Sequence, residues 1–440
     1  METIFLINPP QPKPNKTTIV YGPAAPPLGL CYLASKLKKD GFNVIAIDFE
    51  KKNTNISTLK EAINKHNPAV VGITCLTNTY VTALTIAKLI KSFSDTIKIV
   101  MGGQHPSFCF EEALKYDFVD FIAIGEAEKS FLDLCKAIIN NSNFNHINGI
   151  AFRRDGKTLH SLPESIVDID NIEFPDRFVF DINSYIDPIS IISSRGCAAR
   201  CIFCSASAFR DAKVRFRSAK NVLEEINLLY SNDFRVFNFM DDNFMLKKQR
   251  VVDICKGLKN NMPESLWTCS ARADCVDKEL IKLMSYSGCK GLHFGVETAS
   301  SESQKSIGKY LSLEKLDSAL KLAYKYNIRT FCSFILGLPG EDINQIKKNI
   351  EYALSLYKKY KTGIVFGLLT PFPGTRVFDN AKELGIKILS RDYSQYDIYH
   401  PVIETKYFTQ NQLKEILYEA QKSYLQLTSK DKLKNVIELK

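Results

Sequence analysis

Ser193-Ser194-Arg195-Gly196-Cys197-Ala198-Ala199-Arg200-Cys201-Ile202-Phe203-Cys204 places three thiols within eight residues, directly after the apolar run 188–192. The spacing is Cys, three residues, Cys, two residues, Cys. Gly196 permits a tight turn there, and backbone N–H groups of such a loop can face sulfur. Three thiolates suit an iron-sulfur cluster that leaves one iron open. Zinc is the alternative, but structural zinc takes four ligands, and no Cys or His follows within fifty residues of Cys204. A disulfide leaves one thiol over.

Outward from this loop, apolar runs recur near 189–193, 236–240, 266–270, 291–296, 330–336 and 364–369, with helical periodicity between them. Val222, Leu223, Ile226, Leu229 and Tyr230 make one apolar stripe, and Leu316, Leu320, Leu322 and Ala323 another. Six strand-helix units predict a partial (β/α)6 barrel of the triosephosphate-isomerase type over 186–390, with its chemistry at the carboxyl ends of the strands. Polar residues gather at those ends: Asp241-Asp242-Asn243, Ser270-Ala271-Arg272, Gly295-Val296-Glu297-Thr298, Gly337-Leu338-Pro339-Gly340-Glu341 and Thr370-Pro371-Phe372-Pro373-Gly374-Thr375. Asp241 and Asp242 could instead cap the next helix, and Arg272 could bond carbonyls at the rim.

Residues 1–140 repeat a different α/β pattern: strands near 4–8, 44–48, 70–75 and 97–101 alternate with helices near 29–39, 59–66 and 81–93. This argues a Rossmann-like, doubly wound parallel sheet that binds its ligand beyond the carboxyl ends of the strands. Those ends read Asn8-Pro9-Pro10, Thr74-Cys75-Leu76-Thr77-Asn78, Gly102-Gly103-Gln104-His105-Pro106 and Gly125-Glu126-Ala127-Glu128. The Pro-rich stretch from Pro9 to Pro27 reads as a ligand-sized loop. Between the domains, 141–185 reads as an Asp155-Gly156 hairpin followed by a linker rich in Pro and acids.

The 440 residues, 45% hydrophobic, suffice for two or three cores. There is no membrane-spanning apolar run and no leader-like start, so the expectation is a cytoplasmic protein. Twelve cysteines, scattered apart from the trio, fit a reducing and anaerobic setting better than a disulfide framework. The net charge of +10 lies on helical lysines such as Lys36, Lys38 and Lys39, read as solvated surface, and no nucleic-acid partner is expected.

The trio after a strand resembles the radical S-adenosylmethionine (SAM) superfamily, whose three cysteines bind a 4Fe-4S cluster. Asn8-Pro9-Pro10, Pro27-Leu28-Gly29-Leu30, Gly102-Gly103-Gln104-His105 and Gly125-Glu126-Ala127-Glu128 resemble the cobalamin-binding domain that precedes many such barrels. The resemblance implies three cofactors: the cluster on Cys197, Cys201 and Cys204, SAM on its open iron, and cobalamin. It implies that Phe203, Asp241, Asp242, Arg272, Glu297, Gly337, Pro339 and Gly340 meet SAM. For cobalamin it implies Asn8, Pro9, Pro10, Leu28, Gly29, Thr74, Asn78, Gly102, Gly103, His105, Gly125, Glu126 and Glu128. The Asp-x-His-x-x-Gly signature that offers a histidine to cobalt is absent, and His105 more readily packs near the corrin than ligates cobalt.

Cys31, Cys75 and Cys109 raise the thought of a second cluster of the methylthiotransferase kind, but their contexts differ and buried, inert thiols fit better. No Cys follows Cys332, so one cluster is expected. The extension 391–440 holds an amphipathic helix near 411–427 and a charged tail. Its stretch 393–407, rich in Tyr, Asp and His, could close a substrate pocket or simply pack.

The function implied is methylation of an unactivated carbon in a small-molecule, lipid or natural-product substrate. A 5'-deoxyadenosyl radical would abstract hydrogen, the substrate radical would take methyl from methylcobalamin, and a second SAM would remethylate cobalamin. An electron donor such as flavodoxin or ferredoxin is implied with it. Ring closure or carbon-carbon bond formation is the alternative, and a non-catalytic cobalamin or redox sensor a lesser one.

Overall fold

The computed structural model describes residues 2–12, 25–51, 53–187, 189–209 and 213–437. The chain divides into two compact units, Met1–Ser190 and Ile191–Lys440. Most of the loop between Pro9 and Pro27 lies outside the described residues.

The first unit is built on a seven-stranded sheet. Its strands are β1 (Thr3–Asn8), β2 (Asn43–Asp48), β3 (Val70–Thr74), β4 (Lys98–Gly102), β5 (Phe121–Ala123), β6 (Ile150–Arg154) and β7 (Lys157–His160). Their order is β2-β1-β3-β4-β5-β6-β7, with β1 to β5 parallel. This is a doubly wound arrangement whose connections reverse between β1 and β3, where such sheets open a ligand crevice. Ile4, Phe5, Leu6 and Ile7 are all fully buried, as a central strand covered on both faces requires. Helix Ile56–His66 begins with a capping box, Asn55 with Thr58, and ends on left-handed Asn67.

The hairpin is where the sequence puts it, Asp155 and Gly156 both turning with positive φ. It extends the sheet of the first unit: β6 pairs antiparallel with β5. The stretch read as an interdomain linker is likewise part of this unit. Phe180 and Tyr185 belong to its core cluster, the Tyr185 hydroxyl donates to Asp48 Oδ2 at 2.6 Å, and Asp176 N–H donates to the Cys31 carbonyl at 3.0 Å. Lys36 and Lys39 pair with Glu173, and Lys38 with Asp176. The apolar residues of this segment stand singly and carry no period, so nothing local announces their burial. Each large side chain buried there stabilises by about 1.5–3 kcal/mol.

The second unit holds a six-stranded sheet: β8 (Ser190–Ile191), then β11 (Val236–Phe239), β12 (Leu266–Ala271), β13 (Cys289–Glu297), β14 (Arg329–Leu336) and β15 (Gly363–Leu368), in the order β15-β14-β13-β12-β11-β8. Between β8 and β11 a short antiparallel pair intervenes, β9 (Ser194–Arg195) with β10 (Arg215–Phe216). From β11 to β15 the strands are parallel. Thr330, Cys332, Phe334 and Leu336 of β14 are buried, whereas Phe331, Ser333 and Ile335 are not. The sheet therefore has one covered face and one that opens on a lumen. Four of the helices between strands start on side-chain caps, at Ser218, Asp277, Ser312 and Asp342, whereas Lys248–Asn261 has none. The first strand is shorter than the predicted 189–193, because Ser193 N–H turns to Asp241 and Ser194–Arg195 pairs with β10.

Candidate active site

Cys197, Cys201 and Cys204 sit on the loop that leaves β9, turned by Gly196 at φ 94°. Cys204 N–H donates to the Cys201 carbonyl at 3.1 Å, and Ile202 N–H to the Ile307 carbonyl at 3.0 Å. Cys201 Sγ lies 3.8 Å from the Gly308 carbonyl. Burial pushes the Cys201 thiol up to about 11, and the nearby charges of Lys309 and Arg272 act against it. Burial also raises Cys204. Among the described residues no three Cys, His, Asp or Glu side chains converge as a mononuclear metal site requires. Three thiols on one turn, with the partly buried cations Lys309 and Arg272 beside them, fit a polynuclear cluster in which each thiolate would hold a different iron.

Asp241, expected near the SAM ammonium, is buried and spends its side chain within the protein: Oδ1 accepts from Ser193 N–H at 2.7 Å, and Oδ2 from the hydroxyls of Ser193 at 2.6 Å and Ser194 at 2.5 Å. Arg250 stands 3.6 Å from Oδ2 and donates to the Ser193 carbonyl and hydroxyl at 3.1 and 2.7 Å. Asp241 thus ties the end of β11 to the stem of the cysteine loop. Asp242 next to it is exposed. Neither aspartate caps a helix; Asn243 does, accepting from Met245 N–H.

At the end of β13, Glu297 adopts φ 69° and its Oε1 meets Lys309 Nζ at 3.1 Å, both side chains nearly buried. Arg272 pairs with Asp274 through two contacts and donates to the Lys309 carbonyl at 3.1 Å, which is the rim role weighed for it. The loop 337–340 is pinned from below by fully buried Glu341, which accepts from Leu338 N–H at 3.2 Å and from Thr298 and Asn349, each at 2.9 Å. Burial raises the Glu341 pKa. Gly337 backs onto packed side chains: a Cβ there would stand 3.0 Å from Leu413 and 3.3 Å from Phe408. Gly340 borders open space.

A cavity of about 200 Å³ opens on the lumen, lined by Phe203, Glu297, Ile335, Leu369, Phe372 and Ile398, among others. Of the residues expected at SAM, Phe203 and Glu297 line it. Asp241, Asp242, Arg272, Gly337, Pro339 and Gly340 do not.

In the first unit, β1, β3 and β4 bring Asn8, Thr74 and Gly102 to one edge. Asn8 Nδ2 donates to buried Asp48 at 2.8 Å. Asn78 donates to Gln11 at 2.5 Å, and Thr82 to the Pro10 carbonyl at 2.9 Å. Gly103 has φ 102°, and a Cβ there would lie 2.6 Å from the Cys75 carbonyl. Ser107 ties the edge together, donating to the Gly103 carbonyl at 2.7 Å and accepting from Gly125 N–H at 2.9 Å. Leu28 and Gly29 open helix Leu28–Lys39. Glu126 is partly exposed, and Glu128 is buried at the start of helix Glu128–Ile139. His105 packs inward behind the edge: it is fully buried, its ring centroid 4.2 Å from that of Tyr80, and burial lowers its pKa to about 4. What remains at the edge is a backbone shelf at the switch point, chemistry that fits a large flat ligand. Asp48, Ser107, Arg250 and Lys309 escaped the sequence reading; each is a common residue type outside any motif.

Residues 15–134 match the family model of the B12 binding domain, and 191–353 that of the radical SAM superfamily. An uncharacterised methyltransferase of Pyrococcus horikoshii is 30% identical over 442 residues, covering 99% of this chain and 95% of its own. The chain belongs to the radical SAM superfamily, in its B12-binding branch. It is therefore a radical SAM enzyme whose cofactors are a 4Fe-4S cluster, SAM and cobalamin, and the sensor alternative lapses. The anaerobic magnesium-protoporphyrin IX monomethyl ester cyclase of Rubrivivax gelatinosus is 28% identical, over 86% of this chain and 70% of its own. The fold is shared with the radical SAM methyltransferase TsrM of Kitasatospora setae, at a TM-score of 0.72 and 19% identity over 88% of this chain and 77% of that one. Among the described residues no helix is long and apolar enough to cross a membrane.

Proposed function

We propose that this radical SAM enzyme methylates a carbon of a small molecule. The observation that carries the reading is that Phe203, inside the cysteine motif, lines the same cavity as Glu297. That cavity offers an aromatic face and a carboxylate beside the cluster loop, as a nucleoside with vicinal hydroxyls requires. When bound, cluster and SAM supply a hydrogen-abstracting radical, and cobalamin supplies the methyl group.

Each residue then has a task. Cys197, Cys201 and Cys204 hold the cluster, and Glu297, oriented by Lys309, accepts from the ribose hydroxyls. Asp241 and Arg250 hold the stem of the loop, so that the cluster is positioned before SAM arrives. The shelf of Asn8, Thr74, Gly102, Gly103 and Gly125 receives cobalamin. An electron donor of the flavodoxin or ferredoxin kind and a cytoplasmic setting complete the reading.

The methyltransferase name of the full-length Pyrococcus relative supports methyl transfer; the 28% identity to a cyclase keeps ring closure as a second reading. Anaerobic reconstitution with iron, sulfide, cobalamin and SAM tests both. Methyl transfer requires S-adenosylhomocysteine together with 5'-deoxyadenosine. Deoxyadenosine alone, in the presence of a consumed substrate, would replace methylation by ring closure.

A further inference from the structure

Among the described residues nine other than glycine have positive φ, and most are Asn or Asp at turns or lysine at a helix end. Glu297, Tyr310 and Ile398 are different, and of these Glu297 and Ile398 line the lumen cavity. A β-branched residue at φ 65° is an outlier, and such strain persists only where its surroundings impose it.

The surroundings are explicit. Leu368 N–H, at the end of β15, donates to the Ile398 carbonyl at 2.7 Å. Asp397 locks the turn that follows: Oδ1 accepts from Tyr399 N–H and His400 N–H, each at 2.9 Å, and Oδ2 lies 2.7 Å from His400 Nδ1. Tyr396, buried, donates its hydroxyl to the Ser390 carbonyl at 2.7 Å. Below, Gly367 provides the room: a Cβ there would stand 3.3 Å from Ile398 Cδ1. A backbone bond, a side-chain-locked turn and a glycine floor thus hold one branched apolar side chain at the cavity wall, in a conformation it would not adopt alone.

We propose that Ile398 is the far wall of the nucleoside cavity, a positioning residue supplied by the C-terminal extension that sets the affinity for SAM. This rests on the reading of the Phe203–Glu297 cavity given above. At about 200 Å³ the cavity is smaller than the roughly 300–1,000 Å³ of pockets for drug-sized ligands, and suits one ring system packed on apolar walls. Phe203, Ile335, Leu369 and Phe372 supply the other walls, and Glu297 the polar end. The strain at Ile398 is offset by the contacts of its turn and maintains the wall before ligand enters.

The test is SAM affinity, measured by equilibrium dialysis on the anaerobically reconstituted full chain with cluster content matched. Ile398→Gly accepts the backbone conformation and removes the wall. Its SAM Kd rises about tenfold, as expected when a ligand gives up one buried apolar contact. Ile398→Val keeps most of the wall and stays near wild type. Gly367→Ala, which presses on the same side chain from below, also weakens SAM while leaving the wild-type Ile398 in place. Iron and cobalamin content per chain stay at wild-type levels in all three. An Ile398→Gly Kd within about twofold of wild type overturns the proposal, as does a Gly367→Ala variant that binds SAM as wild type does. A wild-type protein that takes up the cluster but no SAM overturns the parent reading, and the wall with it. Normal SAM binding without methyl transfer leaves the wall standing and removes only the methylation.

Discussion

The carboxyl ends of the two sheets solve the same problem with different materials. In the first unit the edge is backbone: glycines at 102, 103 and 125, proline at 9 and 10, and Ser107 as a stitch between loops. In the second the edge is charged, and most of its charge is already spent. Asp241 goes to Ser193, Ser194 and Arg250, Glu341 to Thr298, Asn349 and a backbone N–H, and Arg272 to Asp274 and a carbonyl. A backbone shelf recognises shape and tolerates few added atoms. A charged rim fixes loops rigidly, because buried charge must be paired. Conspicuous acids at strand ends therefore mark the scaffold of the cluster loop as much as its ligands.

Removing a thiol gives the largest effect. Cys201→Ala abolishes 5'-deoxyadenosine formation and lowers iron per chain, while cobalamin uptake persists; loss of both cofactors together would dissolve the distinction between the two edges. Asp241→Ala leaves Arg250 buried without its carboxylate and costs about 3–5 kcal/mol, read as lower thermal stability with faster cluster loss at unchanged cobalamin content. Unchanged stability would show that the rim charge is available to ligand after all.

Gly103→Ala drives a Cβ against the Cys75 carbonyl from a left-handed backbone, at a cost of about 1–3 kcal/mol. Cobalamin uptake falls while cluster content stays; the reverse pattern would place the shelf elsewhere. The smallest effect belongs to Tyr185→Phe, which removes the hydrogen bond to Asp48. It costs about 1 kcal/mol, or about 2–4 °C in the melting of a unit this size. No shift would return that segment to the status of a loose linker.

Much of this was legible along the chain, because it depends on neighbours in sequence. The cysteine spacing, the Asp155-Gly156 turn, the apolar periods of strands and helices, and the glycines of the shelf each specify local geometry by their own chemistry. The rest depends on contacts across the chain. Asp241 reads the same whether it faces an ammonium ion or Ser193, 48 residues away. His105 reads the same beside a corrin or stacked on Tyr80, and Gly337 reads as an open loop until Leu413 and Phe408 fill the space beside it. Residues 169–185 look like linker because burial by single apolar side chains has no period.

The sequence by itself determined the two α/β units, their strand ends and the three thiols. Only the tertiary structure decided which strand-end charges are spent on the scaffold, that the hairpin and its continuation belong to the first unit, and that Ile398 walls the lumen. The physical reason is that backbone preference and periodicity act over a few residues, whereas the pairing of a buried charge and the filling of a cavity are settled by partners that only folding brings within reach.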